Sequence, residues 1–376
     1  MTPETMRIAI ANPTGGGMSS GYVKYLNGVV PELMRHPAVT AVRVFVAPTL
    51  KGPLQDLPLE AISRGDWPRH ITRFGADVLF VPTARTVQCP GVPRVTMMRN
   101  MEPVTVPFTG NTVAESLRNM ARAVAARRAC RSADRVIAVS DFVARFLRER
   151  WRISATSIAT VPHGVEPPLP AERWVRPARI ADDAPFVFTA GSIRPARGLS
   201  SLLEAFGRIA PRFPGLRLVI AGGATQSMRW HAERLRVQAH ALGVAGLVDW
   251  VGPLPPQEMA WCYGRTSVFV MTSRAEACPN VVLEAMSYGC PCVSVRRDPM
   301  PEFFGDVPVY VARDDDAESL GDALCEVLEA PERAVFLRPR AISRASLYTW
   351  SVTALRTVEE LQSAVRSRKP APFARG

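Results

Sequence analysis

Residues 268–295 have the sequence VFVMTSRAEACPNVVLEAMSYGCPCVSV, and this stretch decides the fold class. An apolar strand over Val268–Met271 leads into a polar loop, and the loop leads into an amphipathic helix over Val281–Gly289. A second apolar strand, Cys292–Val295, follows a Gly-Cys-Pro turn. A strand, a crossover helix and a second strand in this order predict a βαβ unit with parallel strands.

The same alternation extends in both directions along 376 residues, a length that favours two domains. Prolines and the pair His163-Gly164 interrupt it over 163–185, and it restarts with a strand over Phe186–Thr189. We therefore expect an α/β protein with two Rossmann-like domains whose parallel sheets face a cleft. The predicted domains are 1–170 and 171–349, and 350–376 is predicted to be a C-terminal helix that packs back toward the first domain and ends in a tail.

The net charge of +12 is unevenly distributed. Residues 1–185 carry 24 basic and 15 acidic residues, whereas residues 186–376 carry 22 and 19. A basic first half suggests a polyanionic partner, which could be nucleic acid, anionic lipid or a phosphorylated acceptor. All but three of the basic residues are arginine, so a GC-rich genome explains the excess equally well. Both explanations stay open on composition alone.

Other features of the composition bear on location and cofactors. The sequence has no apolar run long enough to span a bilayer and no signal-like N-terminal segment, so we expect a cytoplasmic protein. Its seven scattered cysteines predict buried free thiols, because Cys290-Pro-Cys292 has no second pair to complete a metal site. The run Asp314-Asp315-Asp316 precedes a helix, and capping explains it better than cation binding. We expect neither a metal nor a cofactor.

Two carboxylates form the strongest candidate site. Glu276 lies in the loop after the strand Val268–Met271, and Glu284 lies one turn into the following helix. The helix N-terminus at Asn280–Val282 presents backbone N–H groups and the positive end of the helix dipole, which suit a phosphate or sugar hydroxyls. A carboxylate in that first turn can accept two hydrogen bonds from a diol such as ribose. Glu284 alone would be explained by the helix dipole, but the complete arrangement favours a ligand site.

In each predicted domain, a glycine-rich loop follows the first strand. In the second domain, Gly191-Ser-Ile-Arg194-Pro-Ala-Arg197-Gly198 combines close backbone approach with arginines that can bind phosphate oxygens in pairs. In the first domain, Asn12-Pro-Thr-Gly15-Gly16-Gly17 also permits close approach of a phosphate or sugar. A dinucleotide site is disfavoured there, because Ser20 replaces the third glycine and no acidic residue ends the second strand.

These motifs, together with Val161-Pro-His-Gly-Val-Glu166, resemble family 4 of the retaining glycosyltransferases, which adopt the GT-B fold. The quoted pieces are similar to that family's glycine loop, hinge motif, basic phosphate loop and spaced glutamate pair. The resemblance covers most of the chain and is densest over 186–296. Val248–Leu254 is similar to the segment that frames the nucleotide base.

The resemblance implies a role for each matching residue. Glu284 would hold the ribose, Glu276 the transferred sugar and Arg197 the diphosphate. Two positions depart from the pattern: Ser192 replaces a common arginine, and no histidine follows the fourth strand, where Arg99 or Asn100 would meet the sugar instead. The candidate catalytic residues are Glu276, Arg197 and Asn100, and the candidate donor-binding residues are Glu284, Asn280, Val281, Val282, Ser192, Arg194, Gly16, Gly17, Gly252 and Leu254.

The resemblance also implies the partners, which are a nucleotide-diphosphate sugar donor and a glycan or lipid-linked acceptor, as in bacterial cell-surface polysaccharide synthesis. Two alternatives remain. A nucleotide-sugar epimerase of the same fold would need no acceptor. A non-catalytic nucleic-acid binder is disfavoured, because the basic residues form no recognisable motif with exposed aromatic residues.

An arginine-rich helix in the first domain predicts contact with an anionic membrane. On a helix over residues 117–131, Arg118 and Arg122 share one face, and Arg127, Arg128 and Arg131 spread along a neighbouring strip. We expect peripheral binding at the inner face of the plasma membrane through these residues. A solvated helix face is an equally good interpretation of the same charges.

Overall fold

The computed structural model describes residues 5–13, 20–48, 54, 56–106, 108, 110–180, 184–314 and 316–368. Its residue contacts divide the chain into two compact units. Unit 1 comprises Met1–Val104, Leu117–Gly164 and Tyr348–Gly376, and unit 2 comprises Thr105–Ser116 and Val165–Leu347. The segment Thr105–Ser116 therefore groups with unit 2, although it lies in the sequence between elements of unit 1.

Unit 1 is built on a parallel sheet. Its strands are β1 (Met6–Ala11), β2 (Val39–Val46), β3 (Leu59–Ala61), β4 (Val78–Val81), β5 (Arg94–Met98), β6 (Arg135–Ala138) and β7 (Ile158–Thr160). Within the described residues the strand order is β3-β2-β1-β4-β5-β6-β7. Ile8 of β1 is in register with Val42 on one side and Val78 on the other. The strand order therefore reverses between β1 and β4, where open α/β sheets bind their ligands.

Unit 2 repeats this topology with its own parallel sheet. Its strands are β8 (Phe186–Ala190), β9 (Arg217–Ala221), β10 (Val248–Gly252), β11 (Val268–Met271), β12 (Cys292–Ser294) and β13 (Val309–Tyr310). In the described part of the unit the order is β10-β9-β8-β11-β12-β13. Phe188 of β8 is in register with Val219 of β9 and Phe269 of β11. The reversal here lies between β8 and β11.

Helices connect the strands and cover the sheets. They are α1 (Ser20–Arg35), α2 (Trp67–Phe74), α3 (Glu102–Thr105), α4 (Val113–Arg131), α5 (Asp141–Trp151), α6 (Leu199–Ile209), α7 (Arg229–Ala241), α8 (Pro256–Arg265), α9 (Asn280–Ser287), α10 (Met300–Phe304), α11 (Ala317–Leu328), α12 (Pro331–Ala345) and α13 (Trp350–Arg368). Both faces of a parallel sheet need such cover, and the central strands β4 and β8 are accordingly buried along their whole length.

The last helix, α13, completes the core of unit 1. It packs on α1, and the Trp350 ring lies where a Cβ on Gly28 would sit, 2.1 Å from its Cε2 atom. Arg135 of β6 donates to Glu360 of the helix at 2.8 Å. A side chain at position 28 would therefore displace the start of α13.

The proline-rich segment predicted to link the domains packs on unit 2. The Trp174 indole N–H donates to the Leu169 carbonyl at 2.8 Å, and its ring covers Gly264. The Val175 N–H donates to the Gln257 carbonyl at 3.2 Å. These contacts hold the described part of 165–180 against α8.

Candidate active site

Two loops of unit 2 meet at the point where its strand order reverses. One follows β8 and runs from Gly191 to Gly198, and the other follows β11 and runs from Thr272 to Pro279. The Arg274 N–H donates to the Ala196 carbonyl at 2.8 Å, and the Thr272 hydroxyl donates to the Arg197 carbonyl at the same distance. The topology and these hydrogen bonds place both predicted motifs side by side.

Glycines permit the close approach of these loops. Gly198 has φ +67°, and a Cβ there would lie 2.3 Å from the Thr272 carbonyl oxygen. Gly222, at the end of β9, has φ +129°, and its Cβ would lie 1.8 Å from the Gly191 carbonyl oxygen. Residues with a Cβ rarely adopt these positive φ angles, and here they would also clash with backbone. The local backbone thus requires glycine at both positions.

Arg197 lies between these two loops, on the glycine-lined surface that we call the floor of the site. Its guanidinium group is paired with the Glu276 carboxylate and donates to the Ser273 hydroxyl at 3.0 Å. It also packs on Gly191, with its Cζ 3.3 Å from the position of a Cβ there. Both charged side chains are largely buried, at 24% and 12% exposure for Arg197 and Glu276. Two of the three predicted catalytic residues therefore form one ion pair.

A second carboxylate, Glu284, is hydrogen-bonded by a buried tyrosine that stacks on another tyrosine. The Tyr263 hydroxyl donates to Glu284 Oε2 at 3.0 Å. Burial raises the pKa of Tyr263 well above its ordinary value, and the nearby Glu284 charge adds to the shift, so Tyr263 stays a donor. Tyr288 stacks on Tyr263 with ring centroids 5.5 Å apart, and its hydroxyl accepts from the Leu169 N–H at 2.8 Å. Neither tyrosine is predicted as a site residue from the sequence. The only sequence signal is that Tyr288 lies one helical turn after Glu284.

The remaining donor-side candidates of unit 2 surround the same loops. Ser192 lines a small cavity together with Arg197, and the Arg194 carbonyl accepts from the Arg197 N–H at 3.0 Å. The Gly252 carbonyl accepts from the Gly222 N–H at 2.7 Å, and Leu254 is half-buried two residues further on. At the start of α9 the Val282 N–H already donates to the Pro279 carbonyl at 2.9 Å, which leaves the predicted amide site to Asn280 and Val281. Ligand binding by all of these residues stays a prediction.

In unit 1, Arg99 and Asn100 follow β5 and line the same pocket. Asn100 is exposed, and its Oδ1 atom accepts from the N–H of Glu102, the first residue of the short helix α3, at 3.1 Å. The Arg99 guanidinium group lies 4.8 Å from the Tyr22 ring centroid and donates to the Gly21 carbonyl at 3.0 Å. Gly16 and Gly17 lie outside the described residues.

The segment similar to a hinge motif is anchored within unit 1. His163 is buried, with its ring centroid 4.9 Å from that of Tyr25 and 6.4 Å from that of Trp350. The Pro162 carbonyl accepts from the Thr353 hydroxyl at 2.9 Å. The first half of the motif is therefore fixed to the beginning of α13.

Comparisons with known proteins agree with this geometry. The family model described as "Glycosyltransferase Family 4" matches residues 26–168, and the one described as "Glycosyl transferases group 1" matches residues 171–344.

The chain belongs to glycosyltransferase family 4.

The sequence prediction of the family and of a two-domain α/β GT-B fold is therefore confirmed, and the chain is an enzyme of the sugar-transferring type. It is 29% identical over 376 aligned residues to a D-inositol 3-phosphate glycosyltransferase of Acidothermus cellulolyticus, covering 91% of this chain and 80% of that protein. A protein of the same name from Segniliparus rotundus is 27% identical over 245 residues, which cover 64% of this chain and 54% of the relative. The solved structure of Anabaena HepE with UDP-glucose has the same fold, with a TM-score of 0.74, 15% identity and coverage of 95% of this chain and 100% of HepE.

The cysteine pair and the aspartate run that could suggest a metal site have structural roles in this glycosyltransferase. Cys290 and Cys292 are buried free thiols whose pKa values burial raises. Asp316 caps α11 by accepting from the Ser319 N–H at 2.9 Å, and its hydrogen bonds with Ser319 lower the pKa of the Asp316 carboxyl. Asp314 pairs with Arg297 at 3.1 Å, whereas Asp315 lies outside the described residues. Within the described ranges, no group of three His, Cys, Asp or Glu side chains could hold a metal ion.

In helix α4 of the glycosyltransferase, Arg122 lies on a different side from Arg127, Arg128 and Arg131. Leu117, Met120 and Val124 are 61%, 48% and 51% exposed and follow one another at helical spacing. Arg127, Arg128 and Arg131 continue along that side, whereas Arg122 points about 160° away from it at 100° per residue. Arg122 instead lines a pocket on the other side of the helix. Among the described helices, none has both the length and the apolar character needed to cross a bilayer.

Proposed function

We propose that this enzyme transfers a sugar from a nucleotide-diphosphate donor to a glycan or lipid-linked acceptor, with retention of anomeric configuration, in bacterial cell-surface polysaccharide synthesis. The observation that carries the proposal is the Arg197–Glu276 ion pair on the glycine-lined floor between the β8 and β11 loops. A largely buried guanidinium group at the carboxyl edge of a parallel sheet suits a diphosphate.

Arg197 would stabilise the leaving diphosphate. As the bond between the anomeric carbon and the phosphate oxygen breaks, negative charge grows on the diphosphate, and a fixed guanidinium group lowers the barrier by binding that charge. Ser273 and Glu276 hold the guanidinium group in orientation before the donor arrives. Glu276 would also accept a hydrogen bond from a hydroxyl of the transferred sugar.

Glu284 would bind the ribose of the donor. The Tyr263 hydroxyl donates to one carboxylate oxygen of Glu284, and the Glu284 side chain is only half-buried. A carboxylate that accepts from neighbouring ribose hydroxyls fixes the nucleoside relative to the diphosphate. The solved complex of HepE with UDP-glucose supports a uridine diphosphate sugar as the first donor to test.

Retention follows if the acceptor attacks from the face that the leaving group vacates. The acceptor hydroxyl oxygen bonds to the anomeric carbon, its proton passes to an oxygen of the departing phosphate, and the diphosphate leaves. No protein base is required for this step. Exclusion of water from the site would limit hydrolysis of the donor.

Binding and turnover test the proposal in sequence. In a thermal-shift series with UDP, GDP and ADP, a matching ligand at about 100 times its Kd adds about 2.7 kcal/mol of stability. Donor sugar incubated without acceptor should stay unepimerised, and an epimerised product would favour the epimerase instead. With a glycan or lipid-linked acceptor, NMR of the new linkage should show the donor's anomeric configuration, and an inverted linkage would contradict the mechanism.

The exposed face of α4 supports peripheral attachment to an anionic membrane. Its exposed apolar residues Leu117, Met120 and Val124 are followed on the same side by Arg127 and Arg128, so this face offers apolar and cationic groups together. Anionic lipid is the partner that matches both the apolar and the cationic part of this face. The cytoplasmic leaflet of the plasma membrane would supply it.

Vesicle sedimentation tests the attachment. Replacing Arg127 and Arg128 by Gln should weaken binding to vesicles of phosphatidylglycerol by about 2 kcal/mol, or roughly thirtyfold, at about 1 kcal/mol for each arginine. A matched control replaces the exposed residues Arg145 and Arg150 of α5 by Gln and should bind like the wild type. Wild-type protein that stays in the supernatant at low salt would leave a solvated helix face as the explanation.

A further inference from the structure

The segment Leu169–Val175, which we call the linker strap, contacts an aromatic side chain that lies next to Glu284 in the fold. The Leu169 N–H donates to the Tyr288 hydroxyl at 2.8 Å, although the two residues are 119 positions apart in the sequence. The Trp174 ring centroid lies 6.1 Å from that of Tyr288. The strap therefore holds Tyr288 through a hydrogen bond and a ring contact.

The strap is itself fixed to unit 2. The Trp174 indole N–H donates to the Leu169 carbonyl at 2.8 Å, so the two ends of the strap are joined. The Trp174 Cη2 atom lies 2.1 Å from the position of a Cβ on Gly264, which lets the ring pack directly on α8. The Val175 N–H donates to the Gln257 carbonyl of the same helix at 3.2 Å. These contacts give the Leu169 N–H a defined position.

Tyr288 in turn covers one face of Tyr263. The two rings are stacked, with centroids 5.5 Å apart and an angle of 23° between their planes. Phe188 and Phe269 pack on Tyr263 as well, with centroids at 5.3 and 5.9 Å. The Tyr263 hydroxyl lies in the plane of its ring and donates to Glu284 Oε2 at 3.0 Å. The orientation of this ring therefore sets the direction of the hydrogen bond to Glu284.

We propose that Tyr288 is a positioning residue for the carboxylate of Glu284, and that the linker strap belongs to the donor site because it holds Tyr288. This rests on the proposed function, in which Glu284 binds the ribose. A carboxylate that must meet two hydroxyl groups binds more tightly when its orientation is set before the ligand arrives. The strap contributes to donor affinity in this way without touching the donor.

Tyr288→Phe tests the proposal. It keeps the stacked ring and removes the hydroxyl that accepts from Leu169, and it changes no charge because burial raises the pKa of the Tyr288 phenol. The ligand is whichever of UDP, GDP and ADP stabilises the wild type most. Its affinity by calorimetric titration should fall about three- to fivefold. Donor KM should rise by a similar factor with a smaller effect on kcat, because Arg197 still binds the leaving diphosphate.

Tyr310→Phe is the matched control. The Tyr310 hydroxyl donates to the Gly305 carbonyl at 2.7 Å on the edge strand β13 of the same unit. This variant also loses one hydrogen bond between a tyrosine hydroxyl and the backbone, so its stability in chemical denaturation should fall about as much as that of Tyr288→Phe. Its nucleotide affinity should equal that of the wild type. Equal affinities of the two variants, whether lowered or unchanged, would overturn the proposal in favour of a purely structural role for Tyr288.

Double variants test the route from the strap to the carboxylate. Leu169→Pro removes the N–H that donates to Tyr288, and the residues on both sides, Pro168 and Pro170, are already proline. It should weaken nucleotide binding as much as Tyr288→Phe, and the two changes together should cause no further loss. In a Tyr263→Phe background, Tyr288→Phe should likewise have no further effect. Additive losses in either pair would contradict the route.

Linkage predicts the reverse effect, from the ligand to the strap. A contact that raises ligand affinity by a given factor is itself stabilised by the bound ligand by the same factor. Hydrogen exchange at the Leu169 amide should therefore slow about three- to fivefold in the wild type when the nucleotide is saturating. In Glu284→Ala the saturating nucleotide should leave this rate unchanged. Exchange in the wild type that does not respond to nucleotide would contradict the coupling.

The two proposals fail in different ways. Nucleotide binding that is weakened by Glu284→Ala but not by Tyr288→Phe would leave the donor site standing and refute the role of the strap. Absence of nucleotide binding in the wild type would refute the proposed transferase, and the role of Tyr288 with it.

Discussion

Both units place arginine at the carboxyl edge of a parallel sheet, but they surround it with different groups. In unit 2, Arg197 is paired with Glu276 and rests on Gly191. In unit 1, Arg85, Arg99 and Arg122 line one pocket, and no described residue of that lining is acidic. One site thus contains an arginine paired with a carboxylate of the same site, and the other contains arginines in a pocket whose described lining has no acidic residue.

The difference suggests two uses of the same residue type. A guanidinium group held by a carboxylate is oriented in advance, which suits stabilisation of charge that develops during a reaction. A cationic pocket attracts an anion that is already charged before it arrives, and it gains from several hydrogen bonds at once. The first arrangement therefore suits the leaving diphosphate, whereas the second suits a ligand that carries its charge before it binds.

The largest expected effect tests the oriented arginine. Arg197→Ala should lower kcat about a hundred- to a thousandfold, because it removes a fixed donor from the developing charge. Arg197→Lys should recover part of that loss through charge alone, without the paired hydrogen bonds. Steady-state kinetics with the identified donor provide the measurement. Full activity of Arg197→Ala would show that Arg197 does not stabilise the leaving diphosphate, and Arg194 would be the next residue to test.

The next effect concerns binding rather than turnover. Glu284→Ala should weaken nucleotide diphosphate affinity by about 1.5–3 kcal/mol, roughly ten- to a hundredfold, because charged hydrogen bonds to the ribose are lost. Calorimetric titration measures this, and circular dichroism verifies that the variant is folded. A folded variant with wild-type affinity would remove Glu284 from the donor site.

A backbone substitution tests whether the unit 2 floor depends on glycine. Gly222→Ala should lower the stability by about 1–3 kcal/mol, because a Cβ at φ +129° would strike the Gly191 carbonyl oxygen. Gly246→Ala serves as the control, since a Cβ there has no atom within 4 Å. Chemical denaturation of the two variants gives the comparison. Equal stabilities would show that the loops can separate at little cost.

The smallest effect concerns the tyrosine behind Glu284. Tyr263→Phe keeps the stacking with Tyr288 and removes the hydrogen bond to Glu284, so donor affinity should fall by about 1 kcal/mol, roughly fivefold. In a Glu284→Ala background the same change should have no further effect on affinity. Additive losses would mean that Tyr263 acts on stability alone and does not position the carboxylate.

Local sequence pattern predicts most of the elements that form these sites. The predicted strand Val268–Met271 is β11, and the predicted helix Val281–Gly289 is α9 over Asn280–Ser287. The sequence predicts no element where local signals are weak or contrary. The edge strand β3 has only three residues, and the helix α12 contains Pro339, which ordinarily argues against a helix. In α12 the tertiary packing on α9 overrides that local preference.

The sequence by itself determined the alternation of strands and helices, the positions of the glycines and the chemistry of Arg197, Glu276 and Glu284. These are local properties, because period and turn chemistry depend on neighbours within a few residues. Only the tertiary structure decided which side chains meet. Arg197 and Glu276 are 79 residues apart, and Tyr263 and Glu284 are 21 apart. The pocket of unit 1 likewise combines residues from α1, α4 and two loops, because the order of the strands, which no local pattern encodes, sets which loops become neighbours.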